Sequence, residues 1–334
     1  MQCALWVAAC FALTSAVYLS WLYRVLALAG DTATDWLSLV LGYLCQAAGV
    51  GLVCRALRKN PGLNRPQWFA GALLSFAIVS IPALLGDNLI GTAAFGLVMN
   101  LGCGVIAGLY LERIARVGSA SRTSLIFGGA YAAGTIAVGL LALPGNGSLM
   151  RGSGALLLYQ PLALCLVLAT RREGFPSPTD AEKEKPSANP DDPGRILALA
   201  CLAVGLASMV KNIGFSFPSS DITAGIRPEL SRIPYAVGLI MAGFINDRSR
   251  KNGIICTIAA LIIPFIMLSM RSEPISSAIL WGLDYLFYSF FSVMRVVLFI
   301  DIAQKTRRWE FAPAGLLLGR LGDAAGTALG LALA

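Results

Sequence analysis

Three basic residues, Lys211, Arg295 and Arg320, fall inside long apolar runs, with Asp284, Asp301 and Asp323 in or flanking the same runs. Charge in such surroundings is costly and marks either a site or a structural pair. Arg320 and Asp323 are three apart on one helix face, so an ion pair between them offsets much of the burial cost. A planar guanidinium is also a two-pronged receptor for carboxylates and other anions. Arg295 and Arg320, with Asp323, Lys211, Asn212 and Asp284, are therefore the candidate contacts for an anionic solute; the competing reading is that the Arg and Asp groups only brace helices. Lys211 lies towards the end of its run and has a second reading of its own, a side chain that snorkels to the membrane interface. Gln46 and Asn100 are uncharged and read as hydrogen-bond glue between helices.

A second cluster is the turn G-F-I-N-D-R-S-R-K-N-G, Gly243 to Gly253. A small Gly lets two helices approach closely, and an Asp there can accept from helix N-terminal amides or from a neighbouring Arg. Gly243, Asp247, Arg248, Arg250 and Lys251 are the candidate latch; the plainer alternative is a positive turn that only sets orientation. Other chemistry lacks its parts. The chain has no His, its eight Cys form no C-x-x-C pair, and no phosphate-binding Gly-rich loop is present. Neither an enzyme nor a resident cofactor is expected.

These residues need lipid-spanning elements to position them. Of 334 residues, 57% are hydrophobic and only 13% charged, and the mean hydropathy is +0.72. Apolar runs of about 20 residues, each long enough to cross a hydrocarbon core, predict an all-α polytopic protein whose first partner is the bilayer. Eleven spans are predicted, at 3–23, 36–54, 67–86, 90–111, 123–143, 154–170, 196–214, 232–246, 253–270, 276–300 and 313–334. Pro234 makes the eighth the shortest core. Even-numbered loops carry 18 Lys and Arg against 5 in the odd loops, which places the even loops and the N-terminus in the cytoplasm of a cytoplasmic (inner) membrane. The net charge of +8 is thus chiefly a topology signal, and no nucleic acid is expected to bind this segment itself. Residues 171–195, rich in Pro, Ser and charge, read as a cytoplasmic linker between an N-terminal six-helix half, 1–170, and a C-terminal half, 196–334.

An offset of 192 residues lays Gly51, Arg58, Lys59 and Asn60 over Gly243, Arg250, Lys251 and Asn252, and span one over span seven, four over ten, five over eleven. That points to a duplicated six-helix unit. By the same offset the sixth span should have a partner beyond Ala334, so about eleven of twelve helices are expected here. With its two halves, its linker and its G-x-x-x-D-R turn, the chain resembles the major facilitator superfamily. That family's turn motif is roughly G-x-x-x-D-[RK]-x-G-[RK]-[RK]; the second Gly is missing here, and Arg55 stands at the Asp position of the first-half copy. The resemblance implies a secondary transporter of a small solute, working by alternating access around a midplane site. The run from Asp284 to Phe299, and the Gly-rich segment after it, are also similar to the membrane half of LuxR-type regulators. That implies the alternative of a solute-sensing domain whose DNA-binding part lies beyond residue 334.

Overall fold

The computed structural model describes residues 2–63, 65–117, 122–141, 165, 193–215, 228–262 and 274–333, and every regular element among them is helical. α1 (Gln2–Ala29) is followed by a composite second span: α2 (Asp31–Asp35), a π-helical stretch at Trp36–Leu41, and α3 (Gly42–Lys59). Then come α4 (Pro66–Leu85), α5 (Leu89–Val117) and α6 (Thr123–Leu141). The second part holds α7 (Pro193–Phe215), α8 (Pro228–Arg248), α9 (Arg250–Ala260) and α10 (Pro274–Thr306), then a 3-10 turn at Trp309–Phe311 and α11 (Ala314–Leu333). Seven of the described helical stretches are long and apolar enough to cross a bilayer, and the protein is a multi-pass membrane protein. The expected sixth span, the end of the ninth and most of the linker lie outside the described residues.

Three boundaries differ from expectation for physical reasons. The eighth helix is longer than its short apolar core: α8 runs 21 residues through Pro234, whose ring sits 3.6 Å from where a Cβ on Gly282 would stand, so α10 leaves room for the proline. α7 already includes residues 193–195, taken above as the end of the linker; Pro193 is compatible with a first helical turn. α5 and α10 run on to Val117 and Thr306, so Arg113, Arg116 and Lys305 stand on helical turns instead of in loops. Cations suit the carbonyl-rich C-terminal end of a helix, and Arg116 pairs there with Glu112. Arg58, Lys59, Arg116, Arg248 and Lys305 mark one face of the bundle, its basic end.

Packing repeats through the chain. α1 packs on α6 and α3 on α5; six spans later α7 packs on α11 and α8 on α10. The two sets meet through α6 against α8 and α3 against α11, again an exchange of equivalent elements. The bundle turns apolar side chains outward, as lipid demands, and keeps its polar ones within an apolar core: Ile90 is 84% exposed whereas Asn100 is fully buried. Gln46 Nε2 donates to Asn100 Oδ1 at 2.7 Å, the expected bond between α3 and α5. The glycine stripe of α11 is what lets that helix come close to two others. A Cβ on Gly319 would stand 2.8 Å from Arg295 Nη1, and one on Gly322 or Gly326 would run into the α7 backbone near Gly205 or Met209.

Candidate functional site

Between the two sets of helices lies a cavity of about 560 Å³, lined by α1, α3, α5, α6, α7, α8, α10 and α11. Its charge comes from the second set alone. Arg295 on α10 reaches Asp323 on α11, Nη1 to Oδ2 at 3.0 Å, with side-chain exposures of 3% and 1%. Arg320, one turn before Asp323, shares the same oxygen at 3.4 Å, keeps 20% of its side chain exposed and lays its guanidinium 4.5 Å from the Tyr43 ring centroid. One carboxylate thus serves two guanidinium groups, and the Nε atoms of both arginines and Asp323 Oδ1 are buried without a partner among the described residues. Asn212 holds the α7–α11 seam by donating to Asp323 O at 2.9 Å and Thr327 Oγ1 at 3.0 Å.

Arg295, Arg320, Lys211 and Asn212 all line this cavity, and Asp323 adjoins it through the two arginines. Two expectations change. Lys211 does not snorkel outward: it is buried, and its ammonium stands 3.6 Å from the centroid of the Tyr288 ring, a cation held on an aromatic face. Asp284 is buried without lining the cavity, and the charge that acts on it is that of Lys211.

At the basic end, the end of α8 makes a close crossing with α6 of the other set. A Cβ on Gly243 would stand 2.9 Å from Ser124 O and 3.0 Å from Leu125 Cα, so only hydrogen fits. Asp247 accepts from the Ser124 and Leu125 amides, at 3.0 and 2.8 Å, in the first turn of α6, where unpaired N–H groups point out of the helix. Arg250 grips Asp301 of α10 with two bonds, Nε to Oδ2 at 2.8 Å and Nη2 to Oδ1 at 3.0 Å, and donates as well to Ser124 Oγ. Ser249 caps α9 by accepting from the Asn252 amide, so the turn forms without the motif's second Gly. Arg248 and Lys251 are exposed, and neither bonds α6 or α10 among the described residues.

No family model and no curated protein matches the sequence. Among solved structures, the human organic anion transporter MFSD10 (TETRAN) aligns with a TM-score of 0.63 at 16% identity, over 99% of this chain and 92% of that one. The chain has a major-facilitator-like fold. Within that fold the cavity occupies the seam between the two sets of helices, and the turn after α8 closes the seam at one end.

Sequence reasoning missed the aromatic lining of this major-facilitator-like cavity. Of nine Tyr in the chain, eight line it: Tyr18, Tyr23, Tyr43, Tyr110, Tyr131, Tyr235, Tyr285 and Tyr288; the ninth, Tyr159, is outside the described residues. Among the Phe of the described residues, only Phe11 and Phe127 do so. The contrast between hydroxylated and plain rings was a usable signal, because a Tyr within a membrane helix needs a polar environment for its hydroxyl. Tyr43 and Tyr235 also correspond to each other at the 192-residue offset.

Proposed function

We propose that the protein is a secondary transporter that moves a small organic anion by rocking its two sets of helices about the cavity. One observation carries the reading: Lys211, Arg295 and Arg320 line the cavity, and no carboxylate among the described residues does. An anion entering there meets three cations in a medium where Coulomb attraction is weakly screened. The described neighbour's own name, organic anion transporter, agrees with that reading. Arg320 is the contact and Arg295 the brace, since Arg295 is closed against Asp323 whereas Arg320 keeps surface to offer.

With the N-terminus in the cytoplasm, as the loop cations indicate, the Asp247 and Arg250 bonds close the cytoplasmic end. The conformation is then outward-facing, and the turn after α8 is the latch that holds it. Neither the geometry nor the comparisons lend separate support to the regulator alternative. Uptake into proteoliposomes tests the proposal with a panel of radiolabelled small carboxylates and sulfonates, for the native chain and for Arg320→Gln. Native uptake that Arg320→Gln reduces by at least about tenfold supports it. Uptake no greater than in protein-free vesicles, or uptake indifferent to Arg320→Gln, overturns it.

A further inference from the structure

The cavity divides its neutral polar groups unevenly between the two sets of helices. In the second set they are bonded to one another: Tyr235 donates to Ser292 Oγ at 3.0 Å, and Asn212 to Thr327 Oγ1 at 3.0 Å. In the first set, the hydroxyls of Ser15, Tyr43, Tyr110 and Thr135 and Oε1 of Gln46 line the cavity and take no hydrogen bond among the described residues. Thr135, Tyr110 and Gln46 are more than nine-tenths buried, so the surface they keep is turned to the cavity. The five groups come from four helices, α1, α3, α5 and α6. Tyr43 lies at the seam, its ring centroid 4.5 Å from the Arg320 guanidinium, and the same charge acts on Tyr110. Hydrogen-bonding capacity on one wall and cations on the other make a receptor for a molecule that is hydroxylated along its body and charged at one end.

We infer, on the basis of the anion reading above, that the ligand is a polyhydroxylated carboxylate of the sugar-acid class: its carboxylate lies toward the second set, and its hydroxyls are bonded by Ser15, Tyr43, Gln46, Tyr110 and Thr135 of the first. The volume, about 560 Å³, accommodates a chain of sugar length with room for water. An alkyl carboxylate would strip water from the five polar groups and return no bond, which is how a site that bonds hydroxyls rejects an analogue without them. An uncharged polyol would gain nothing from the three cations of the lining. A ligand that bonds both walls also spans the seam, so it favours the arrangement in which the two sets stand closest.

The test uses the full chain in detergent and isothermal titration with molecules of one chain length. D-Gluconate carries both features, hexanoate keeps the carboxylate without the hydroxyls, and D-glucitol keeps the hydroxyls without the charge. The expected result is saturable binding of D-gluconate, with each of the others weaker by about tenfold or more. Hexanoate binding as tightly overturns the sugar-acid assignment and leaves the anion reading standing; D-glucitol binding as tightly overturns both. No binding of D-gluconate or its epimer D-galactonate up to millimolar concentration overturns the assignment, and the Arg320→Gln uptake experiment then decides the anion reading by itself. Tyr43→Phe and Tyr110→Phe each remove one hydroxyl and keep the ring, so each should weaken D-gluconate by roughly threefold to tenfold. Unchanged affinity in both variants would take these hydroxyls out of the site and sink the assignment.

Discussion

The turn after α3 and the turn after α8 correspond at the 192-residue offset, yet only the second joins the two sets of helices through an acid of its own among the described residues. After α8, Asp247 caps α6 and Arg250 grips Asp301. At the matching places after α3 stand Arg55 for Asp247, Arg58 for Arg250 and, on α5, Leu109 for Asp301. Both acids are gone, and Arg55 and Arg58 are exposed. On that side the basic end is joined differently. Arg116 lies 5.1 Å from the Trp309 ring centroid and donates to Pro61 O at 2.5 Å, and Gln304 donates to Ala115 O at 2.9 Å. The cavity has the same asymmetry: Arg295 and Asp323 correspond to Cys103 and Tyr131. Elements that correspond at this offset share a frame, but in the cavity lining the charged side chains stand in the second set alone. One copy carries charge and the latch; the other brings neutral walls.

The largest expected effect comes from breaking the charged copy at its core. Arg295→Gln leaves Asp323, 1% exposed, with only the longer 3.4 Å contact to Arg320. Removing one partner of a buried pair should cost about 3 kcal/mol, read as a drop in thermal unfolding temperature in detergent. The matching change in the neutral copy, Cys103→Ala, should cost well under half as much. Adding Asp323→Asn to Arg295→Gln should restore part of the loss, since the orphaned charge is then gone. Equal losses for Arg295→Gln and Cys103→Ala would break the contrast.

Next is the latch. Asp247→Ala leaves two α6 amides without their acceptor at a nearly buried crossing, and should cost about 2 kcal/mol. It should also bias the cycle away from the conformation closed at the basic end, seen as a changed transport rate in proteoliposomes. Arg55→Ala, at the corresponding exposed position, should leave both readings within error. A latch confined to one copy is sharpened by that pair of results and lost if the two variants behave alike.

These features were not equally legible in the sequence. Lipid punishes every unpaired polar group, so hydropathy, loop cations and the rarity of internal charge pointed to an all-helical membrane bundle and to the suspect residues 211, 295, 320 and 323. Asp247 was legible as an acceptor of helix amides because a turn Asp beside a close-approach Gly has few other uses. Its partner helix was not, since Ser124 is 123 residues away. The pairing of Arg250 with Asp301 stayed hidden for the same reason, and Arg320 was matched to Asp323 by spacing when the shorter bond to Asp323 comes from Arg295 on another helix. Lys211 was misread because snorkelling depends on which way a helix face points, and spacing along one helix does not say what faces it. The tyrosines escaped notice for that reason too: spread over six helices they look like scattered aromatic residues until packing brings them to one cavity.

A smaller effect separates the two motif glycines. A Cβ on Gly51 meets only the flexible Leu317 side chain at 3.8 Å, whereas one on Gly243 meets the backbone of Ser124 and Leu125. Gly51→Ala should therefore gain up to about 1 kcal/mol from helix propensity, and Gly243→Ala should lose about as much or more from the enforced separation of α8 and α6. Unfolding temperatures that shift in the same direction would show that the α6–α8 crossing yields as readily as the other.

The smallest effect is the most pointed, because it tries to restore what the first copy lost. At the 192-residue offset the amides facing Asp247 correspond to those of Leu316 and Leu317, in the first turn of α11. Both bond back to Pro313 O, at 3.0 and 3.2 Å, in the ordinary manner of a helix start, with no side-chain cap. Arg55→Asp puts a carboxylate on the α3 turn near that helix start. An exposed charge at a helix N-terminus contributes a few tenths of a kcal/mol, so the gain in unfolding temperature should be about 1 °C. Its kinetic effect should be easier to see: a second fastening across α3 and α11 adds to what must be undone in each cycle, and the uptake rate should fall by roughly twofold. A rate that rises instead would mean that Arg55 itself holds the basic end together, and the neutral copy would then have a latch of its own.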